Sequence, residues 1–189
     1  MLSYNELKNG FDLALENAKE LFQEAEGLAI FEHYSRAYTL YQLSIEEIGK
    51  CIILLRAVID GSKGLDIGYS YLKSLGYFDH QSKTRCSLGA ERVLFKLFEK
   101  STGYDCSELL KNVELGVGKV NETNMLKNNS LYVGFVGDKF VSPKTVITKE
   151  MVDEISVTAD LRIRAVIPMF PSKEQLVVIS KYLEQNEEE

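Results

Sequence analysis

The sequence contains little proline and little cysteine, and both shortages bear on the class of structure. Only 3 of its 189 residues are proline and none precedes Pro143, so long helices can form over residues 1–142. The 3 cysteines, Cys51, Cys86 and Cys106, are odd in number and include no C-x-x-C pair. This argues against a disulfide framework or a zinc site. The sequence also has no E-x-x-H, H-E-x-x-H, G-x-G-x-x-G or P-loop motif. We therefore expect a helical protein of the reducing cytoplasm, with neither a cofactor nor a bound metal.

Long hydrophobic runs and secretory features are also missing. The longest apolar run, Cys51–Leu55, is far shorter than the 18 or so residues of a membrane span. The N-terminal residues Met1–Glu6 have neither a basic segment nor an apolar one, so they do not resemble a signal peptide. We expect a soluble protein with no membrane partner.

The net charge of −6 argues against bulk, non-specific binding of nucleic acid. The charge is unevenly distributed, because residues 80–149 carry 11 Lys and Arg against 7 Asp and Glu. Any basic surface is therefore expected from this segment.

Apolar periodicity and capping residues predict an all-α protein. The expected N-caps are Ser3, with Glu6 at the capping-box position, and Asp79, Ser107, Thr148 and Ser172, and Gly27 is expected to end the first helix. The second helix is apolar around most of its circumference and should be central. In the third long helix, Leu88, Val93, Leu94, Leu97 and Phe98 should face inward. Turn residues Gly134 and Gly137-Asp138 among Tyr, Val and Phe predict an extended arm or hairpin. We expect one domain over residues 1–189, an antiparallel helical bundle with an irregular arm at about 130–145 and an acidic C-terminal tail. The helices are predicted at about 3–26, 31–60, 67–75, 80–100, 107–128, 149–167 and 173–185.

The end of the fourth long helix changes from apolar to polar along one face. The stripe begins with valines and ends in Asn124 and Lys127, at a 4-3-4-3 spacing from Val113. Two interpretations stay open. The segment is either a solvated helix end, where the helix dipole favours a lysine, or a set of polar groups that build a functional site. Lys127 could bind a phosphate, Asn128 could donate hydrogen bonds, and Tyr132 could donate or stack.

Two further motifs could carry chemistry. In Glu46-Glu47-x-x-Lys50, helical geometry places Glu47 on an apolar face, while Glu46 and Lys50 are i,i+4 partners. Glu47 is therefore either part of a buried structural ion pair or a carboxylate with a raised pKa that is suited to proton transfer. The second motif is His80-x-x-Lys83. Only two histidines exist, and His80 opens a helix, where it could act as acid, base or ligand.

These motifs, in this order, resemble the AbiV-type abortive infection proteins of the HEPN superfamily. The resemblance rests on Ser44-Ile45-Glu46-Glu47-Ile48-Gly49-Lys50, Asp79-His80-x-x-Lys83, Lys127-x-x-Ser130-Leu131-Tyr132-Val133 and Pro143, and it spans about residues 13–143. It implies a HEPN-like helical bundle and a bacterial, cytoplasmic anti-phage effector that arrests the infected cell by blocking translation, through RNA cleavage or through RNA or ribosome binding.

The resemblance also implies roles for individual residues. HEPN ribonucleases have a motif in which an Arg is followed by a polar residue and, after three further residues, by a His. The resemblance places Lys127 at the Arg position, Asn128 at the polar position and Tyr132 at the His position. Lys lacks the bidentate fork of Arg, and Tyr is a weaker base than His at neutral pH. Glu47 or His80 would then supply the proton transfer of a metal-independent endoribonuclease. The resulting candidate site has Glu47, His80, Lys127 and Tyr132 as catalytic residues and Lys83, Lys127 and Asn128 as RNA-binding residues.

An alternative from another functional class also fits the sequence. The chain could be a non-catalytic helical module that senses or sequesters a phage or host protein. The resemblance implies a homodimer, because HEPN proteins usually pair their motifs across one, and a phage-encoded protein is a candidate trigger.

Overall fold

A computed structural model of the protein describes residues 1–186, which form nine α-helices and one β-hairpin. The predicted all-α bundle with a short arm is confirmed. The predicted acidic tail, residues 187–189, lies outside the described residues. No helix in the described part of the chain is long and apolar enough to cross a membrane. The helices are α1 Tyr4–Ile30, α2 Tyr34–Ser62, α3 Tyr69–Ser74, α4 His80–Thr102, α5 Ser107–Gly118, α6 Val120–Leu131, α7 Pro143–Val146, α8 Lys149–Val166 and α9 Lys173–Asn186.

Helix α2 is the centre of the bundle, as its apolar circumference predicts. It packs against α1, α4, α6 and α8. Polar side chains are buried on it together with the apolar ones, among them Gln42, Ser44 and Glu46. Burial of such groups is costly unless they are hydrogen-bonded or paired, so α2 carries the polar interior of the protein.

Helix α1 is longer than predicted at its C-terminal end. Gly27 was expected to end it, but the helix continues to Ile30, because Leu28 and Ala29 still pack against a core cluster. The chain reverses instead at Glu32, whose φ of 60° is left-handed. Ser3 caps the other end with the predicted reciprocal hydrogen bonds to Glu6.

The predicted fourth long helix is two helices, α5 and α6, which are separated at Lys119. Gly116 and Gly118 precede the break, and glycine lowers helix stability. The backbone angles of Lys119 are φ −94° and ψ 3°, a small departure from helical geometry. Val113 before the break and Lys127 after it are therefore both still buried.

The second half of α4 contradicts the predicted inward face in part. Leu88 is buried and Leu94 packs against a core cluster, but Val93, Leu97 and Phe98 are 39%, 59% and 47% exposed. Helical periodicity predicts which residues share a face but not which elements cover that face, and within residues 1–186 the side of α4 that carries Val93, Leu97 and Phe98 stays largely exposed. Val93 and Leu97 line an open apolar groove that α8 and α9 complete.

The predicted arm is a β-hairpin made of β1 Gly134–Val136 and β2 Lys139–Val141, which pair antiparallel. Gly137 and Asp138 form its turn with φ of 54° and 63°, the left-handed pair that a tight hairpin requires. Phe135 and Phe140 face each other with ring centroids 5.1 Å apart, and both are exposed. Pro143 then occupies the first turn of the short helix α7.

Candidate functional site

Glu46 lies at the centre of a polar cluster that joins three helices. Its side chain is 2% exposed, and its Oε1 accepts a hydrogen bond of 2.6 Å from Lys127 Nζ on α6. Its Oε2 lies 2.5 Å from His80 Nδ1 and 3.3 Å from Lys83 Nζ, both on α4. We call Glu46, His80, Lys83 and Lys127 the Glu46 cluster.

A close approach of α2 to α4 brings the cluster together. Gly49 lies one turn beyond Glu46, and a Cβ atom there would come within 2.0 Å of the Lys83 carbonyl oxygen. Only glycine permits this separation. Asp79 caps α4 by accepting a 2.7 Å hydrogen bond from the Ser82 amide, so the helix starts at His80. His80 and Lys83 are three residues apart and therefore share the face toward Glu46.

The last turn of α6 is fixed against α2 by hydrogen bonds. Ser130 is fully buried, and its hydroxyl donates to the Lys127 carbonyl at 2.6 Å and lies 2.7 Å from Thr39 Oγ1. Arg36 Nη1 donates to the Leu131 carbonyl at 3.2 Å. These contacts hold Lys127 in the bundle interior, where its side chain is 9% exposed.

The charges of the cluster favour an ionised Glu46. Burial acts to raise the pKa of this carboxyl, but hydrogen bonds from Lys127 and His80, together with the charges of Lys127 and Lys83, outweigh burial and hold the pKa below its usual range. One buried carboxylate therefore faces two buried ammonium groups, and the cluster has an excess of positive charge.

His80 is the member of the cluster that solvent can reach, with a side chain 60% exposed. An ionised carboxylate only accepts hydrogen bonds, so the Nδ1 that faces Glu46 carries the proton. In a neutral imidazole, Nε2 is then free to accept a proton. A carboxylate that orients a histidine in this way is the arrangement that general bases use.

The structure brings together His80, Lys83 and Lys127 of the predicted site but not Glu47. Glu47 instead pairs with Lys50 at 2.6 Å. Lys50 therefore pairs with Glu47 and not with Glu46 as predicted, and Glu47 forms the structural ion pair, one of its two interpretations. Glu47 is also less buried than Glu46: its side chain is 13% exposed, and that of Glu46 is 2% exposed.

Glu46 is the residue that the sequence interpretation missed. A signal was present, because Thr39, Gln42, Glu46 and Gly49 follow a 3-4-3 spacing along α2. All four are buried. Polar residues and a glycine that repeat at helical spacing, inside a helix otherwise rich in apolar residues, indicate a buried polar face.

The Lys127–Tyr132 run is divided between the interior and the surface. Lys127 is buried, whereas Asn128 is exposed and the Tyr132 side chain lies outside the cluster at the C-cap of α6, with 63% exposure. The Tyr132 amide donates to the Asn128 carbonyl at 2.9 Å. The structure therefore does not bring Tyr132, predicted as a catalytic residue, together with His80 and Lys127, because the chain leaves α6 at this position. Asn128, predicted to bind RNA, is exposed next to the helix end that holds Lys127.

No group of three His, Cys, Asp or Glu side chains suited to a metal ion occurs within residues 1–186. The Glu46 cluster offers one carboxylate, which its lysines already occupy, and one imidazole. This donor set provides hydrogen bonding and proton transfer.

The sequence matches the model of a known protein family. The HEPN_AbiV model, described as AbiV, matches residues 6–164, which include the whole Glu46 cluster. No curated protein matches the chain, and no solved structure does. Since the match covers most of the 189 residues, the chain belongs to the AbiV family of HEPN proteins.

Proposed function

We propose that this protein is an anti-phage effector that acts on RNA, alone or in the ribosome, through the exposed His80, and thereby blocks translation. Membership of the AbiV family suggests the abortive-infection role. The observation that supports the chemistry is the 2.5 Å contact between His80 Nδ1 and Glu46 Oε2, which orients an exposed imidazole by a buried carboxylate.

The proposed reaction is metal-independent cleavage of the RNA backbone. His80 Nε2 takes the proton of a 2′-hydroxyl, the 2′-oxygen attacks the adjacent phosphorus, and the bond to the 5′-oxygen breaks. The departing 5′-oxygen takes a proton from water, and the resulting hydroxide takes the proton from His80, which restores the base. The products are a 2′,3′-cyclic phosphate and a 5′-hydroxyl. Glu46 is a positioning residue here, because it acts through His80.

The two buried lysines would attract RNA by their electrostatic potential and not by direct contact. Lys83 and Lys127 are each 9% exposed at the side chain and are paired with Glu46. Their excess positive charge attracts a phosphate toward His80. The exposed Asn128 and Tyr132 provide the direct contacts, by hydrogen bonding to the backbone and by stacking on a base.

A homodimer would complete the proposed site. Two copies would supply two His80 imidazoles, and one of them could then protonate the 5′-oxygen while the other acts as base. The trigger is proposed to be a phage-encoded protein.

The test is cleavage of RNA by purified protein. Total RNA and tRNA are incubated with wild type and with the His80→Ala, Lys127→Met and Tyr132→Phe variants, with and without EDTA. His33→Ala is the matched control, because His33 is exposed at the start of α2 and lies outside the cluster. We expect discrete products from wild type and His33→Ala, loss in His80→Ala, and no effect of EDTA. Equal cleavage by His80→Ala would refute the assignment.

The exposed hairpin favours a second candidate, a non-catalytic module that binds a protein. Phe135 and Phe140 are 62% and 81% exposed on one short hairpin, and Val133 before them is 66% exposed. Exposed aromatic residues in a group are typical of protein-binding surfaces. Intact RNA, together with growth arrest that Phe140→Ser abolishes and His80→Ala preserves, would favour this candidate.

A further inference from the structure

Two exposed aromatic rings lie close to the start of the helix that carries His80. Tyr69 is the first residue of α3 and is 66% exposed, and Phe78 follows α3 and is 52% exposed. Their ring centroids are 5.0 Å apart, and the ring planes are inclined by 34°. We call Tyr69 and Phe78 the aromatic pair. Exposed rings also meet in the hairpin and after α4, so the position of this pair near His80, and not its exposure alone, indicates a function.

The backbone at Phe78 is fixed against the start of α4. The Asp79 amide donates to the Gly76 carbonyl at 3.0 Å, so Phe78 lies inside a hydrogen-bonded turn. Gly76 has a left-handed φ of 82°, and a Cβ atom there would come within 2.2 Å of the Ser82 Cβ. The turn therefore packs directly on the first turn of α4, which holds Phe78 in a defined position relative to His80.

The ring of Tyr77 supports the aromatic pair from the protein interior. Tyr77 packs against the core cluster of α1 and α2, and its ring meets the Phe78 ring edge-on with centroids 5.2 Å apart. Phe78 thus has one ring beneath it and one, that of Tyr69, beside it, while about half of its own surface stays exposed. A surface that is already ordered loses little conformational entropy when a partner binds.

The aromatic pair lies close to the group that is proposed to act on RNA. The peptide bonds from Phe78 to His80 are trans, so the two Cα atoms are at most about 7.6 Å apart. A stacked nucleic-acid strand advances about 3.4 Å per nucleotide. A base that contacts Phe78 would therefore belong to a nucleotide near the phosphate at His80.

The charges around the aromatic pair favour a polyanionic partner. Lys73 follows Tyr69 by four residues on α3, so the two exposed side chains share a face. Asp79 is the acidic residue next to Phe78, and its carboxylate accepts a 2.7 Å hydrogen bond from the backbone of α4. On the other side of Asp79, the Glu46 cluster adds its excess of positive charge. A phosphate backbone could therefore approach the rings from either side.

We propose that the aromatic pair stacks on unpaired bases of an RNA single strand, with Lys73 close to the backbone of that strand. The inference rests on the proposed function, in which RNA is the substrate, and it specifies that the substrate is single-stranded. Every base has a flat face that can stack on a ring, so the surface selects for unpaired bases and not for a sequence. Paired bases inside a duplex are already stacked on their neighbours and cannot lie against the rings.

The test measures binding of labelled oligonucleotides to the full-length protein by fluorescence anisotropy. The strands carry 2′-O-methyl groups, so the proposed reaction, which needs a 2′-hydroxyl, cannot consume them. The probes are a short single strand of mixed sequence, its duplex with the complementary strand, and an abasic strand of the same length. Phe78→Leu removes a ring and keeps an apolar side chain, whereas Phe78→Trp retains a ring.

Tyr104→Leu is the matched control. Tyr104 is 60% exposed, and its ring centroid lies 5.9 Å from that of Phe98, so it also belongs to an exposed pair of rings. It follows the C-terminal end of α4, and the length of this helix separates it from His80 by roughly 35 Å. A general effect of exposed aromatic residues on RNA binding would appear equally in this variant.

We expect the single strand to bind wild type, Phe78→Trp and Tyr104→Leu with similar affinity and Phe78→Leu roughly tenfold more weakly, the effect of one stacked base. The duplex and the abasic strand should also bind wild type more weakly than the single strand does. Equal affinity of wild type for the single strand and the abasic strand would overturn the proposal, as would equal losses in Tyr104→Leu and Phe78→Leu. The comparison of the strands uses wild type alone, so it decides the matter even where Phe78→Leu fails to fold.

The outcomes also separate this inference from the proposed function. Binding that depends on the bases, without cleavage of RNA by wild type, would refute the proposed reaction and support the stacking surface. Cleavage that depends on His80, together with equal binding of the single strand and the abasic strand, would overturn the stacking surface and leave the proposed reaction intact. Growth arrest that Phe78→Leu abolishes, while no strand binds, would assign the aromatic pair to a protein partner and overturn the inference.

Discussion

Lys127 Nζ on α6 lies 2.6 Å from Glu46 Oε1 on α2, across 81 positions of the chain and inside the bundle. The contact makes Glu46 the common partner of two buried lysines. Buried pairs add little net stability compared with apolar residues, but removing one partner leaves an uncompensated charge. The loss of stability should therefore differ according to which member of the cluster is replaced.

Glu46→Gln should destabilise the protein more than Lys127→Met does. Glutamine leaves Lys83 and Lys127 buried with like charges and no counter-ion, whereas methionine leaves Glu46 paired with Lys83. We expect Glu46→Gln to lower the free energy of unfolding by about 3–5 kcal/mol and Lys127→Met by roughly half as much. Urea denaturation measures both values.

The control for this comparison is Glu122→Gln, which makes the same change at an exposed position of α6. It should shift the free energy of unfolding by less than about 0.5 kcal/mol. The reverse order, with Lys127→Met the more damaging, would mean that Glu46 does not neutralise both lysines.

The stability that Glu46 contributes should depend on pH in a defined direction. The net effect of burial, which raises its pKa, and of Lys127, His80 and Lys83, which lower it, is a folded-state pKa below the usual range of a glutamate. A depressed carboxyl pKa stabilises the folded state fully above the unfolded pKa, and this contribution is lost as the pH falls through the folded value.

Urea denaturation of wild type and Glu46→Gln between pH 7 and pH 3 isolates this contribution. The difference in unfolding free energy between them should be constant down to about pH 5 and shrink below it, because the other carboxyls are common to both proteins. A difference that stays constant to pH 3 would show that Glu46 does not titrate with folding.

Gly49→Ala tests the close approach on which the cluster depends. The added Cβ would come within 2.0 Å of the Lys83 carbonyl oxygen, so α2 and α4 must separate. We expect a loss of about 3 kcal/mol or more, since overpacking against backbone cannot relax by side-chain rotation. Thermal denaturation gives the loss, and RNA cleavage should fall with it because His80 moves away from Glu46.

Gly27→Ala is the matched control for that substitution. A Cβ at Gly27, in the last turns of α1, has no atom within 4 Å. Alanine should therefore stabilise the helix by about 0.5–1 kcal/mol. If both alanine variants behave alike, helix propensity rather than helix separation governs Gly49.

The sequence predicted most of the fold because periodicity and capping act locally. Ser3, Asp79 and Thr148 cap α1, α4 and α8 as expected, and Gly137-Asp138 makes the hairpin turn. The expected cap Ser107 is instead the first residue of α5, whose N-cap is Cys106. Whether a given helix face is covered depends on elements that are distant in the sequence. The exposure of Val93 and Leu97 therefore could not be read from α4 alone.

The sequence predicted only part of the site, because long-range packing also decides which polar residues meet. His80, Lys83 and Lys127 stood out as scarce or oddly placed polar residues, and the structure joins them. The choice between Glu46 and Glu47 depends on a rotation of about 100° around α2. Both glutamates sit on a helix that is buried nearly all round, so only the packing of α4 and α6 distinguishes them.

The three cysteines should differ in reactivity toward a thiol reagent. Burial raises the pKa of Cys51 to about 12 and Glu47 adds to the shift, while Cys51 is fully buried. Cys106 is also fully buried, whereas Cys86 is partly exposed with a pKa that burial raises more modestly. The thiolate is the reactive form, so the raised pKa of Cys51 adds to its burial in making it unreactive.

Iodoacetamide labelling of native protein at pH 8, followed by peptide mass spectrometry, should therefore modify Cys86 first. Cys51 should react only at the rate at which the bundle opens, and denaturing urea should make all three react alike. Cys86→Ser is the control, and it should abolish the fast phase. Fast labelling of Cys51 in that variant would contradict the packing of α2 against α1, on which the position of Glu46 also depends.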